Sequence, residues 1–192
     1  MRTSPLFLTL LSSAAFLLPL SASAAPSDAS ITRAEFVQMM VEKFYDQKQL
    51  DGCFVDLSNS EYKLLFRDVN KDATYAKAVC VGMINGFVRG YGDGTFQPDR
   101  PINVAEAGKI VARVFGTTNV PAAAPGQAWY RPYVESLTLR KAVPTSVKTF
   151  SQLLSRDEAV DILTRLESGN TSNPSSTYAD LERQSHVIWK KQ

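Results

Sequence analysis

Behind each of three short polar openings, the apolar positions of this chain recur at helical spacing. Val37, Met40, Val41 and Phe44 follow the first, Ile110, Val111, Val114 and Phe115 the second, and Val160, Leu163 and Leu166 the third. Recurrence at three and four residues puts each set on one helix face, so three amphipathic helices are expected with these faces in the core. The openings are themselves alike: Ile31-Thr32-Arg33-Ala34-Glu35, Ile102-Asn103-Val104-Ala105-Glu106 and Leu154-Ser155-Arg156-Asp157-Glu158. Thr32, Asn103 and Ser155 are good N-cap residues. Glu35, Glu106 and Glu158 stand three positions later, where a carboxylate reaches back to the cap's N–H and closes a capping box. Ile31 and Phe36 occupy the positions of a hydrophobic staple in the first copy. Gly116 and Gly169, just past the last apolar turns, are natural helix stops.

A second kind of element lies between these openings. Residues 75–84 form an apolar helical run that leads into Asn85-Gly86-Phe87-Val88-Arg89-Gly90-Tyr91-Gly92-Asp93-Gly94-Thr95-Phe96. So many glycines after a helix mean that the chain turns sharply there. Residues 129–139 are the matching helix of the next copy, and its turn, 141–150, has lost the glycines. Residues 117–127 and 168–176 read as connectors.

The order of a helix, a Gly-Tyr-x-Asp-Gly-Thr-Phe turn and an Ile-Thr-Arg-Ala-Glu helix start resembles the S-layer homology family. Gly90 to Phe96 carries the whole turn and Ile31 to Glu35 the whole helix start. The resemblance implies an all-α fold: three repeats in a pseudo-threefold arrangement around a three-helix core, with ligand grooves between neighbours. Repeat-like segments then fall at 31–45, 54–116 and 128–168, with a closing tail at 176–192. The first copy opens at the second half of a repeat, and the tail from Tyr178 looks like a first half. A circular permutation, in which the ends complete each other, is therefore one reading.

Composition narrows the function. Residues 1–25 read as a secretory signal peptide, with Arg2, an apolar run from Pro5 to Leu20 and the small residues Ser21 to Ala25. That run is too short to span a bilayer, so residues 26–192 are expected to form one exported domain without a transmembrane segment, at the cell surface, in the cell wall or in the periplasm. The net charge of +2 includes Arg2, and the cations are scattered, which argues against nucleic acid as a partner. Cys53 and Cys80 are the only cysteines. In an oxidising compartment a lone pair favours a disulfide, closing a loop of about 27 residues, over two buried thiols. No zinc spacing exists, and His186 as the sole histidine excludes a histidine triad. Asp68-Val69-Asn70-Lys71-Asp72 imitates a calcium loop but has Ala73 and Val79 where Gly and Glu belong. No metal, cofactor or catalytic residue is expected, and the protein is read as a non-enzyme.

Arg33 and Arg156 stand at the first helical position, where a cation opposes the helix dipole. An anion there would meet the guanidinium together with free first-turn N–H groups. The resemblance implies that these arginines contact the acidic ketal of a pyruvylated secondary cell wall polysaccharide. Val104 in the second copy would leave that groove crippled. Tyr91, Asp93, Gly94, Thr95 and Trp129 are candidate sugar contacts, by hydrogen bonding, close backbone approach or stacking. Thr32, Glu35, Asn103, Glu106, Ser155 and Glu158 are read as structural. The function expected is non-covalent anchoring to an anionic envelope polysaccharide. The alternative is a structural module that binds surface-layer proteins or another copy of itself, its sugar grooves decayed.

Overall fold

The computed structural model describes residues 29–55, 66–116, 120, 122–169 and 172–189, so the signal peptide expected at 1–25 lies outside it. The fold is all-α. The described residues form α1 (Arg33–Glu42), α2 (Gln47–Val55), α3 (Ala76–Ile84), α4 (Val104–Val114), α5 (Arg131–Leu139), α6 (Arg156–Ser168) and α7 (Tyr178–Trp189). Among them extended segments meet only as isolated bridges. None of these helices is long and apolar enough to cross a membrane.

All three expected capping boxes form. Thr32 Oγ1 accepts from the Glu35 N–H at 3.2 Å, and Glu35 accepts from the Thr32 N–H at 2.9 Å. Asn103 and Glu106 exchange the same pair of bonds at 2.9 and 3.4 Å, and Ser155 and Glu158 at 3.1 and 3.0 Å. The residue ahead of each cap is extended and buried, so its peptide groups need partners. They find one another: Ile31 N–H donates to Leu154 O at 2.8 Å, Leu154 N–H to Ile102 O at 3.0 Å, and Ile102 N–H to Ile31 O at 3.2 Å. This closed ring ties the starts of α1, α4 and α6 together at the centre of the molecule.

The core spreads from that ring through Phe36, Met40 and Val41 of α1, Val79 of α3, Ile110 and Val111 of α4, Val134 of α5 and Ile162 of α6. α1 packs on α3 and α4, α4 on α5, and α2 on α3. Cys53 and Cys80 form a disulfide, with Cα atoms 6.2 Å apart, that clips α2 to α3. α7 rests on α5 and on the 141–150 turn, where Tyr178 stacks on Phe150 at 5.0 Å and Ser176 donates to Val147 O at 3.0 Å.

The differences from the periodicity are local. Phe44 and Val160, assigned to core faces, are 46% and 45% exposed. Phe44 lies beyond the end of α1 and meets Phe115 edge-on at 4.9 Å. α3 and α5 start at Ala76 and Arg131, one and two residues after the expected positions. α2 was not expected, yet Asp46-Gln47-Lys48-Gln49 is a capping box in its Gln form, with reciprocal bonds of 2.8 and 2.9 Å. The turn after α5 keeps a left-handed residue despite having no glycine: Lys141 sits at φ 53°, in the place Gly86 takes after α3 at φ 72°.

Candidate functional site

The glycine-rich turn is held from below by Asp68. Its two carboxylate oxygens accept from the N–H groups of Phe96 and Gln97, both at 2.7 Å, and Arg67 N–H donates to Gly94 O at 3.0 Å. Within the turn, Asp93 accepts from the Thr95 hydroxyl at 2.7 Å and from its N–H at 2.9 Å, bonds that hold the Asp93 carboxyl below its usual range. At Gly90 a Cβ would lie 2.7 Å from the Thr95 carbonyl, so no other residue fits without moving backbone. Phe96 is fully buried and plugs the turn onto the core. Asp93, Gly94 and Thr95 thus bond to one another and to the turn, whereas Tyr91 lines a groove.

The α1 side of that groove is Arg33. Its guanidinium is buried, 7% exposed, and donates from Nε to Phe96 O at 3.0 Å and from Nη2 to Arg89 O at 2.9 Å. It lies between the rings of Phe96 and Tyr91, 4.8 and 5.3 Å from their centroids. Burial lowers its pKa. The first-turn N–H groups of α1 are not free: Arg33 N–H donates to Arg100 O at 2.8 Å and Ala34 N–H to Pro98 O at 3.0 Å. α4 repeats this, with Val104 donating to Gln152 O and Ala105 to Phe150 O. The cradle of open helix N–H groups expected beside Arg33 therefore does not form, because the turn of the next segment fills it, and the α4 start, where Val104 was expected to cripple the groove, is filled in the same way.

The groove itself, about 210 Å³, runs between the turn, α1 and α4, with Arg33, Arg89, Tyr91, Lys109, Arg113 and Trp129 in its walls. Glu106 also faces it, but this carboxylate closes its capping box and is gripped by Arg100, which bonds the Tyr91 hydroxyl as well. Lys109 Nζ stands 5.3 Å above the ring of Trp129, which is half exposed. Desolvation lowers the Lys109 pKa, and repulsion from Arg113, Arg89 and Arg33 lowers it further. Four cations thus converge on a small groove with an aromatic wall and one committed carboxylate.

Arg156 has different surroundings. Its side chain is 52% exposed and pairs with Glu35 at 3.0 Å. It lines a wider groove of about 610 Å³ with Glu35, Glu42, Lys43, Met39 and Leu163. The Thr32 N–H, and then the Thr32 hydroxyl and Arg156, hold the Glu35 carboxyl below its usual range. Among the described residues no cluster of metal-ligating side chains occurs.

Lys109, Arg89 and Arg113 were not among the residues expected from sequence. A signal existed: Lys109 and Arg113 are like charges four apart on α4, a pairing that is unfavourable on a helix and asks for a reason. Arg113 also donates to Gly86 O at 3.1 Å, as Arg165 donates to Lys141 O at 3.4 Å, so these arginines clamp the two matching left-handed residues.

Residues 65–107, spanning Asp68, α3, the glycine-rich turn and the Asn103–Glu106 box, match the S-layer homology domain. Over that stretch the chain is similar to the S-layer homology domain. S-layer homology domains are cell-surface anchoring modules that bind secondary cell wall polysaccharide, and they act by binding and not by catalysis. No curated protein and no solved structure gives a significant match to the chain. The matched segment supplies the turn, Tyr91 and Arg89 of the groove, while Lys109, Arg113 and Trp129 lie beyond it and Arg33 before it.

Proposed function

We propose that the protein is exported and holds an acidic, pyruvylated envelope polysaccharide in the groove between α1, the glycine-rich turn and α4. The observation that carries this reading is the convergence of Arg33, Arg89, Lys109 and Arg113 beside Tyr91 and Trp129. Cations at a partly desolvated surface attract an anion more strongly than they would in water, and an aromatic wall accepts the apolar face of a sugar ring. The groove beside Arg156 is the weaker candidate for an acid, since Glu35 already neutralises that guanidinium and Glu42 lies nearby. Asp93, Gly94 and Thr95 serve here by shaping the turn that carries Tyr91.

The test is sedimentation of the mature chain with purified envelopes, before and after mild acid removes ketal-linked pyruvate. Binding that is lost on depyruvylation supports the reading. Equal binding to both preparations defeats the pyruvate assignment. Binding that survives removal of the polysaccharide altogether favours a protein partner in a surface layer.

A further inference from the structure

Resting on that reading, we infer that Lys109 is the residue of the groove that contacts the acidic group directly, while Arg33 is a positioning residue that builds the wall. The two cations are placed very differently. Arg33 is buried, its Nε and Nη2 are bonded to Phe96 O and Arg89 O, and its faces are covered by Tyr91 and Phe96. It fixes the turn to α1 and adds charge. Lys109 has no carboxylate partner among the described residues and rests only against aromatic rings, 5.3 Å from the centroid of Trp129 and 6.0 Å from that of Tyr133.

An ammonium carries three donors, and a ring face satisfies none of them as an oxygen would. The groups facing it from the packed elements are Arg33 on α1, Arg89 and Tyr91 on the turn, Glu106 and Arg113 on α4, and Tyr133 on α5. The one carboxylate among them is tied to Arg100 and to the Asn103 cap. An ammonium at the groove wall with guanidinium groups around it is repelled where it stands. A ligand carboxylate relieves that repulsion by balancing the local charge, and it accepts hydrogen bonds from the ammonium in place of water. Trp129 beneath it then offers its exposed face to the sugar ring that bears the acid. The ligand class is a glycan whose acidic group lies within one sugar of an apolar ring face.

The experiment uses the mature chain and soluble polysaccharide released from purified envelopes. Lys109→Gln should weaken binding about tenfold or more, the loss expected of a charge-assisted hydrogen bond, and Lys109→Arg should keep most of it. Lys109→Gln should also keep or raise the melting temperature, because it removes a repelled charge. In parallel, brief acetylation by acetic anhydride, read by mass spectrometry against the exposed Lys48, should show Lys109 protected when polysaccharide is present.

If wild type binds while Lys109→Gln binds equally well and Lys109 acetylates at an unchanged rate, the inference is overturned and the polysaccharide reading stands. If wild type binds no polysaccharide, the reading itself fails and the inference falls with it.

Discussion

Arg33 and Arg156 occupy the same position of two matching helix starts, yet one is a buried strut and the other an exposed half of an ion pair. The difference lies in what packs over each. The glycine-rich turn closes on Arg33, presents two carbonyls and two rings to it, and leaves the Lys109 groove alongside. No such turn covers Arg156 among the described residues, so its guanidinium reaches sideways to Glu35. Equal sequence positions therefore take unlike chemical roles when the neighbouring segment differs.

The largest test removes what the Arg33 side depends on. Phe96→Ala should destabilise the protein by about 3–5 kcal/mol, since a fully buried ring leaves a cavity under the turn. Urea unfolding measures it, and a change under 1 kcal/mol would mean that the turn does not rely on its plug. Next, the Cys53→Ser, Cys80→Ser double variant should lose about 3–4 kcal/mol by the chain-entropy model for this loop. Because the bridge clips α2 to α3, the loss should loosen the turn after α3 more than the Arg156 side, which hydrogen exchange can resolve by segment.

The direct comparison is the pair of alanine variants. Arg33→Ala strips the donors from two carbonyls and should cost about 2–4 kcal/mol. Arg156→Ala breaks an exposed pair and should cost less than about 1 kcal/mol. Equal melting shifts for the two would erase the distinction drawn here.

The smallest effect is with acid. The Glu35 carboxyl lies below its ordinary value, chiefly because it accepts from the Thr32 N–H, with Arg156 adding to this. A depressed carboxylate contributes stability that is complete above the ordinary value of 4.5 and is lost as the pH falls through the folded value. Stability should decline as the pH drops below that range, and Glu35→Gln should decline less steeply. An unchanged slope in that variant would remove Glu35 from the account.

The sequence by itself determined the local structure. Thr32, Asn103 and Ser155 with their partner glutamates fix three helix starts through bonds that span three residues, and such bonds are legible wherever the spacing is. The same logic, applied to Asp46 and Gln49, would have revealed α2. The expectation of export and the lone cysteine pair pointed to the Cys53–Cys80 bridge.

Tertiary structure alone decided which polar groups were already occupied. The N–H groups of Arg33 and Ala34 meet the carbonyls of Arg100 and Pro98, more than sixty residues away, and Arg33 reaches Phe96 and Arg89 across a similar separation. Those partners come from a different segment, brought near by the ring of Ile31, Ile102 and Leu154. A spacing rule cannot see whether a cation will be used up by a distant carbonyl or left, as Lys109 is, facing an open groove. Helix starts follow from neighbours in sequence, but binding capacity depends on donors left over after folding, and that remainder is a property of the packed chain.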